Sequence, residues 1–345
     1  MKLKALFIIA LATLTLTSCT KSEDFSSFLE DDTVTQIEVG LVYRPASLRN
    51  QAVDFALFDE DGTDISAGAT FYVDGTALEE STFSSDVEGT FEVYAEFDNN
   101  GTTATTETET FSVVVPKRKV SIEDHTGTWC GYCPRVTEAI EKVHDITDNI
   151  TVVAIHNNDE MTVAFEELLR QEFEVFGFPT GRLNRTSNWS PPYEATDVTS
   201  MAGEDSAMGI GISSSINGST LNATISVSSE EGLTGNKLVV YLVEDGIIAD
   251  QVNYLNNDPN SQYYQQGDPI VGFVHDDVLR ASLTDIFGNN ITSTPALEEY
   301  KTTLSTQLSP EYVVENLELV VMVTDTDNAT INSQYAKVNE TKGYE

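Results

Sequence analysis

The sequence predicts a multi-domain α+β protein, β-rich at both ends with an α/β segment between. Three observations carry this. Residues 34–116 and 206–335 contain apolar residues at alternate positions, the period of half-buried strands. Residues 117–205 alternate short apolar runs with segments in which apolar residues recur at helical spacing. A Cys-Gly-Tyr-Cys-Pro run, Cys130 to Pro134, opens the first of those helical segments. The chain has 345 residues, enough for two or three domains of ordinary size. It carries 56 acidic and 18 basic residues, a net charge of −38. A field of that sign repels phosphate backbones, so no nucleic-acid partner is expected, and the excess acid reads as a solvated surface.

The chain opens as a targeting segment. Lys2 and Lys4 precede an apolar, threonine-bearing run from Ala5 to Thr17, too short to span a bilayer as an anchor. The run ends in Leu16-Thr17-Ser18-Cys19, which resembles the bacterial lipobox. That resemblance implies a signal peptide over residues 1–18, lipidation at Cys19 and attachment to a membrane through the lipid. Residues 19–33 read as an acidic tether, similar to the export tags of Bacteroidetes surface lipoproteins.

Residues 34–116 come next. Phe91, Val93, Ala95 and Phe97 alternate with polar residues in the clearest strand, Thr90 to Phe97. Thr70 to Val73 is a shorter strand closed by Asp74-Gly75, and Val34 to Val42 and Phe111 to Val115 are the first and last strands. Asp59 to Asp64 reads as a turn, because it lacks the downstream glutamate of a calcium loop. Length and strand spacing resemble a bacterial immunoglobulin-like β-sandwich. The polar stretch from Asn99 to Thr110 reads as a hairpin loop, and Pro116 to Lys119 marks a domain boundary.

Residues 117–205 predict a strand at Lys119 to Asp124, a helix from Pro134 through Ile146, a strand at Ile150 to Ile155 and a helix over Met161 to Phe173. A strand over Gly181 to Arg185 and a weaker helix over Thr196 to Asp205 follow. The second helix would bury Phe165, Leu168, Leu169 and Phe173 on one face. In residues 206–345 the best strands are Gly209 to Ile216, Leu221 to Ser228, Lys237 to Glu244 and Leu317 to Thr324. Asn217-Gly218 is a hairpin signal. An insertion holds Tyr263-Tyr264 and a short helix near Asp277 to Leu283.

The chemistry concentrates at Cys130 and Cys133. Cys19 has a separate fate, so these two thiols are each other's covalent partners. Thiol–disulfide exchange, part of a metal site and an inert pair remain open. A helix N-terminus stabilises a thiolate, so Cys130 is the expected attacker and Cys133, one turn on, the resolving thiol. Gly131 lets a substrate backbone approach. Zinc needs two further ligands, and His125, His144, His156 and His275 show no pair at ligand spacing. No metal and no cofactor are expected. His125 reads as a solvent-facing residue at a strand end, His156 as structural, and His275-Asp276-Asp277 as a capped helix start. Trp189 to Tyr193 reads as a connecting loop.

Trp129 before the first cysteine, the strand ending six residues upstream, the helix at the motif and Gly177-Phe178-Pro179-Thr180 downstream resemble the thioredoxin family over residues 117–205. That resemblance implies a central thioredoxin-like α/β domain. It gives Pro179 the role of a cis-proline beside the dithiol, with Phe178 and Thr180 in the substrate groove beside Trp129, Gly131 and Tyr132. It makes Asp124, or alternatively Glu123, the buried acid serving the resolving thiol. Tyr132, where reducing thioredoxins carry proline, leaves the redox direction open. The wider run Thr126 to Pro134, with Val274-His275-Asp276-Asp277-Val278-Leu279-Arg280, resembles the Omp28-related outer membrane proteins of Bacteroidetes over most of residues 117–335. The resemblances imply a C-terminal β-sandwich-like domain over residues 206–345. They also imply an outer-membrane lipoprotein whose partners are envelope or surface proteins. Two functions follow: a tethered thiol–disulfide oxidoreductase, or a surface binding lipoprotein in which the disulfide is structural.

Overall fold

The computed structural model describes residues 40–99 and 101–345. The signal segment, Cys19, the tether, Asn100 and the first part of the strand expected from Val34 lie outside the described residues.

Residues 40–114 build their own core. The long strand Gly89–Asn99 pairs antiparallel with Ala69–Val73 and Glu109–Val114, and Ala46–Leu48 joins Glu109–Val114 in parallel. The alternation read from Phe91 to Phe97 places Val93 and Ala95 inward, fully buried. Phe111 sits at the centre, its ring against those of Tyr43, Phe55, Phe83 and Phe91. Asp74 and Gly75 both take positive φ, the geometry of a tight hairpin turn between Ala69–Val73 and Thr76–Ala77. Within the stretch read as a polar loop, Thr102–Thr105 is a strand paired with Gly89–Asn99. Arg49 pairs with Glu230, and the buried Gln51 donates to Ser228 Oγ and the Leu297 carbonyl, docking this unit on the rest.

The expected division into a sandwich, a central thioredoxin-like α/β domain and a C-terminal sandwich is corrected by the rest of the chain. Strands take 46% of the structure and helices 10%, a β-rich multi-sheet fold. One mixed sheet of nine strands crosses the boundary placed at residue 206. Its order is Ser187–Trp189, Thr180–Leu183, Val120–Thr126, Ile150–His156, Val278–Ser282, Lys237–Glu244, Leu317–Thr324 and Thr330–Lys337, with Asn289–Asn290 attached to Lys237–Glu244. Val120–Thr126 and Ile150–His156 are parallel, and Ile150–His156 meets Val278–Ser282 in parallel through Ala154 and Val278. The remaining pairs are antiparallel.

The physical reason lies in the strands themselves. Every residue of Ile150–His156 is buried, so the strand is covered on both faces and needs a hydrogen-bonding neighbour on each edge. Local periodicity does not reveal that the second neighbour lies far along the chain. Strand Lys237–Glu244 shows the fusion directly. Leu238, Val240 and Leu242 face a core shared with a four-stranded sheet of Glu299–Gln307, Thr220–Ser229, Met208–Asn217 and Thr341–Lys342. Val239, Tyr241 and Val243 face the other way and pack with Val153, Ile155, Leu169 and Phe173.

Helix α1, Pro134–His144, covers the sheet beside Val120 and Ile122. It does so with Val136, Ala139, Ile140 and Val143, at the predicted spacing. Lys142 occupies its last turn, where positive charge complements the helix dipole. The second helix is shorter than expected: α2 spans Glu166–Glu172, and Leu168 is exposed rather than buried. Asp159 accepts from the Met161 N–H and the Thr162 hydroxyl, holding the preceding residues in a turn. Helix α3, Ala195–Thr199, also ends early. The segment expected as a helix near Asp277 is the strand Val278–Ser282, entered through Asp277 at positive φ. Trp189 and Tyr193 of the expected loop are core residues under α1. Gly218 and Ser219 form the two-residue turn of the hairpin read at Asn217-Gly218.

Candidate functional site

The site begins where Val120–Thr126 ends. Asn157 N–H donates to the Thr126 carbonyl, and the Asp159 carboxylate accepts from the Thr128 N–H at 2.9 Å and from His156 Nδ1 at 2.7 Å. Trp129 Nε1 donates to the Asn157 carbonyl at 2.6 Å. These bonds fix the turn that carries Cys130 and Cys133, which form a disulfide with Cα atoms 5.4 Å apart. Both half-cystines are buried, 5% exposed at Cys130 and 1% at Cys133. Trp129 and Tyr132 beside them are 44% and 46% exposed. The Phe178 ring meets Trp129 edge-on at 5.4 Å, and the Arg135 guanidinium lies 4.5 Å from the Tyr132 ring centre. The Phe178–Pro179 bond is cis, and the Thr180 hydroxyl donates to the Gly177 carbonyl.

The helix starts later than the expected chemistry requires. Cys133, not Cys130, is the N-cap of α1, and Pro134 is its first residue. Arg135 and Val136 N–H groups are taken by the Tyr132 and Cys133 carbonyls. With the Cys133 N–H donating to the Cys130 carbonyl, these three groups are not free to favour a Cys130 thiolate.

A segment absent from the sequence reading closes the site. The stretch after strand Ile247–Gln251 crosses the cysteine turn. Val252 N–H donates to the Thr128 carbonyl and Tyr254 N–H to the Gly131 carbonyl, both at 2.8 Å. The buried Gln251 amide donates to the Cys130 carbonyl at 3.0 Å and reaches the Gly127 carbonyl at 3.4 Å. The Tyr254 ring lies flat enough on Gly131 that a Cβ there would stand 2.4 Å from it. It also meets Tyr132 edge-on at 5.3 Å. Gly131 does admit a backbone closely, and the backbone is the protein's own. Gln251 and Tyr254 gave no sequence signal, since they lie far from the cysteines along the chain and belong to no local pattern.

Asp124 is 3% exposed, its Oδ1 has no hydrogen-bond partner, and burial pushes its carboxyl up to about 8. Glu123 does not share that environment. It is bound by the guanidinium of Arg185 at 2.7 Å, both side chains fully buried, and the same guanidinium donates to Tyr241 Oη. His125 is not at the solvent: it is 0% exposed, neither ring nitrogen has a partner, and burial, with Arg182, Arg185 and Arg170 nearby, pushes it down to about 3. Among the described residues no three His, Cys, Asp or Glu side chains form a group that could hold a metal ion.

Comparison with known proteins adds the family. The family model described as outer membrane protein Omp28 matches residues 166–342, just over half of the chain. Among solved structures, the chain is similar to HBP35 of Porphyromonas gingivalis at 18% identity. That match covers 65% of this chain and 76% of that one, with a TM-score of 0.49. It is similar to a domain of the outer membrane lipoprotein Omp28 from Porphyromonas gingivalis at 19% identity, over 39% of this chain and 89% of that one, with a TM-score of 0.25. Beta-glucosidase 3B from Thermotoga neapolitana matches at 16% identity over 41% and 17% of the two chains, with a TM-score of 0.20. No curated protein matches. On the family match, this chain belongs to the Omp28 family of outer membrane proteins, and its place is the outer membrane.

Proposed function

We propose that this outer membrane protein is held by a lipid on Cys19 and exchanges disulfides with envelope or surface proteins through Cys130 and Cys133. The observation that carries the reading is the segment Val252–Tyr254, which pairs its backbone N–H groups with the carbonyls of the cysteine turn. A turn that accepts the backbone N–H groups of a segment of its own chain offers the same carbonyls to a partner chain once that segment lifts. Trp129 and Tyr132 then flank the bound polypeptide with apolar surface. A partner thiolate attacks Sγ of Cys130, the Cys130–Cys133 bond breaks, and Cys133 leaves as the thiolate. A second partner thiol displaces Cys130. The partner departs with a disulfide, and the pair here is left as two thiols. With the reduced pair the same steps run in reverse.

The second reading is a binding lipoprotein whose disulfide only staples the start of α1. The burial of both half-cystines, 5% and 1% exposed, favours it. Trapping separates the two. Under the first reading, Cys133→Ser accumulates mixed disulfides through Cys130 in cell envelopes and Cys130→Ser accumulates few. If neither variant traps a partner, and the reduced Cys130 alkylates no faster than an ordinary free thiol, exchange is abandoned for the staple. The anchor is tested by Cys19→Ala, which should lose both lipid and membrane association.

A further inference from the structure

A second site lies behind the disulfide, in a cavity of about 320 Å³ between α1, the strands Val120–Thr126 and Ile150–His156, and the turn after Ile270–His275. That volume is at the lower end of small-molecule sites. Four carboxylates stand around it: Asp124 from one strand, Asp245 and Asp277 from the two turns that meet there, and Glu318 from the far strand. Glu141 and Asp276 stand at its exposed rim. No lysine or arginine lines it among the described residues. Lys337 acts on Asp245 and Glu318 and Lys342 on Glu318 from outside the lining, His144 acts on Asp245 from within it, and no basic group among the described residues acts on Asp124 or Asp277.

Two buried groups lining it are unanswered. Asp124 is 3% exposed with Oδ1 unpartnered, and His275 is 7% exposed with Nε2 unpartnered. Buried acceptors of this kind cost stability unless something donates to them. Burial holds the carboxyls of Asp124, Asp245, Asp277 and Glu318 above their ordinary range. At Asp245, Asp277 and Glu318 repulsion from neighbouring carboxylates adds to it. His275, pushed down by burial to about 4, is a neutral ring. Among the described residues the site lacks lysine and arginine, and two of its buried polar atoms lack a donor.

We propose that this cavity binds a small organic cation, a compound bearing an ammonium or guanidinium group on an aliphatic chain. An organic cation suits it better than a metal ion for two reasons. No three of these side chains form a metal-holding group. The walls between the acids are also apolar, with Ile140, Val152, Ala154, Phe273 and Val320 placed to receive carbon. The charged end donates to Asp124 and His275, and the chain runs along those walls toward the rim. The site is independent of thiol exchange, because no step of it uses a sulfur.

The test is calorimetric titration of the lipidated full chain in detergent with 1,5-diaminopentane. The expected result is saturation at one equivalent with release of a proton as the bound cation ionises Asp124, and binding weakened about tenfold in Asp124→Asn and in Glu318→Gln, each of which removes a carboxyl that can ionise against the cation. The two variants lie on opposite walls, so a folding defect in one leaves the other informative. Glu107→Gln, on the N-terminal unit, should leave binding unchanged. Three results would overturn the proposal. 1,5-Pentanediol binding as well as the diamine would mean that charge plays no part. Calcium ion competing at equal strength would make it a metal site. Equal weakening in Glu107→Gln would leave only the net charge of the chain.

Discussion

Lifting the segment that lies on the cysteine turn should make the disulfide reducible, and the structure sets how much. Tyr254 contributes an edge-on ring contact with Tyr132 and a face against Gly131, but the ring is 59% exposed, so its removal is worth about 0.5–1 kcal/mol. The Gln251 amide is buried and donates to the Cys130, Gly127 and Val252 carbonyls. Removing it leaves those carbonyls short of a donor, at about 1–2 kcal/mol. The double variant Gln251→Ala/Tyr254→Ala should therefore shift the opening equilibrium by roughly 1.5–3 kcal/mol, which is about 10- to 150-fold. Tyr254→Ala alone should give only a few-fold. The assay is the rate at which dithiothreitol reduces the Cys130–Cys133 bond in the native protein, read by maleimide mass shift at a reductant concentration where reclosing outpaces attack. Gly131→Ala is an independent perturbation. Its Cβ would stand 2.4 Å from the Tyr254 ring, so the ring must move, and reduction should again accelerate. If all three variants are reduced at the wild-type rate, the segment does not control access, and the burial of the sulfurs has another cause.

Arg185→Met leaves the Glu123 carboxylate buried without its partner and should cost about 3–5 kcal/mol in urea unfolding. Glu123→Gln/Arg185→Met should recover much of that. Asp124→Asn should change the pH dependence of stability. The native carboxyl keeps its proton up to about 8, whereas an unfolded aspartate loses it near pH 4, so the native state binds the extra proton across that window. Wild-type stability then falls as pH rises from about 4 to 8. The asparagine variant, with nothing to ionise, should fall less, which thermal unfolding at pH 5 and pH 8 measures.

The parts of this fold that were legible in the sequence are those that neighbours along the chain decide. The spacing of Val136, Ala139, Ile140 and Val143 located α1 and its buried face. The alternation around Val93 and Ala95 located the central strand of the N-terminal unit, and Asn217-Gly218 located a hairpin. The errors share one cause. Ile150–His156 showed that it was buried on both faces but not that Val278–Ser282 would be its neighbour, so a continuous sheet was divided in two. His125 read as a strand-end residue because the sequence does not show that Thr180–Leu183 covers the edge beside it, with Arg182 and Arg185 following. At the site, the cysteine turn with Trp129 and Tyr132 was visible as a local run. Tyr254 and Gln251 were not, because what places them over Gly131 is the packing of the whole C-terminal half. Glu123 and Asp124, adjacent and chemically alike, were separated only by the strand's alternation, which sends one to Arg185 and leaves the other alone.

The fused sheet also fixes an order of events as the chain is made and exported. Synthesis runs from the N-terminus, so Cys130 and Cys133 emerge long before Val278–Ser282 and the residues around Tyr254. Until those later segments arrive, Ile150–His156 has an open edge and the cysteine turn has no cover. Closure of the disulfide by another envelope thiol system is unobstructed during that interval and obstructed afterwards. In the finished protein the pair is reached only when the segment from Val252 to Tyr254 lifts, so the cover laid down by the second half of the chain sets when the cysteines can meet a partner.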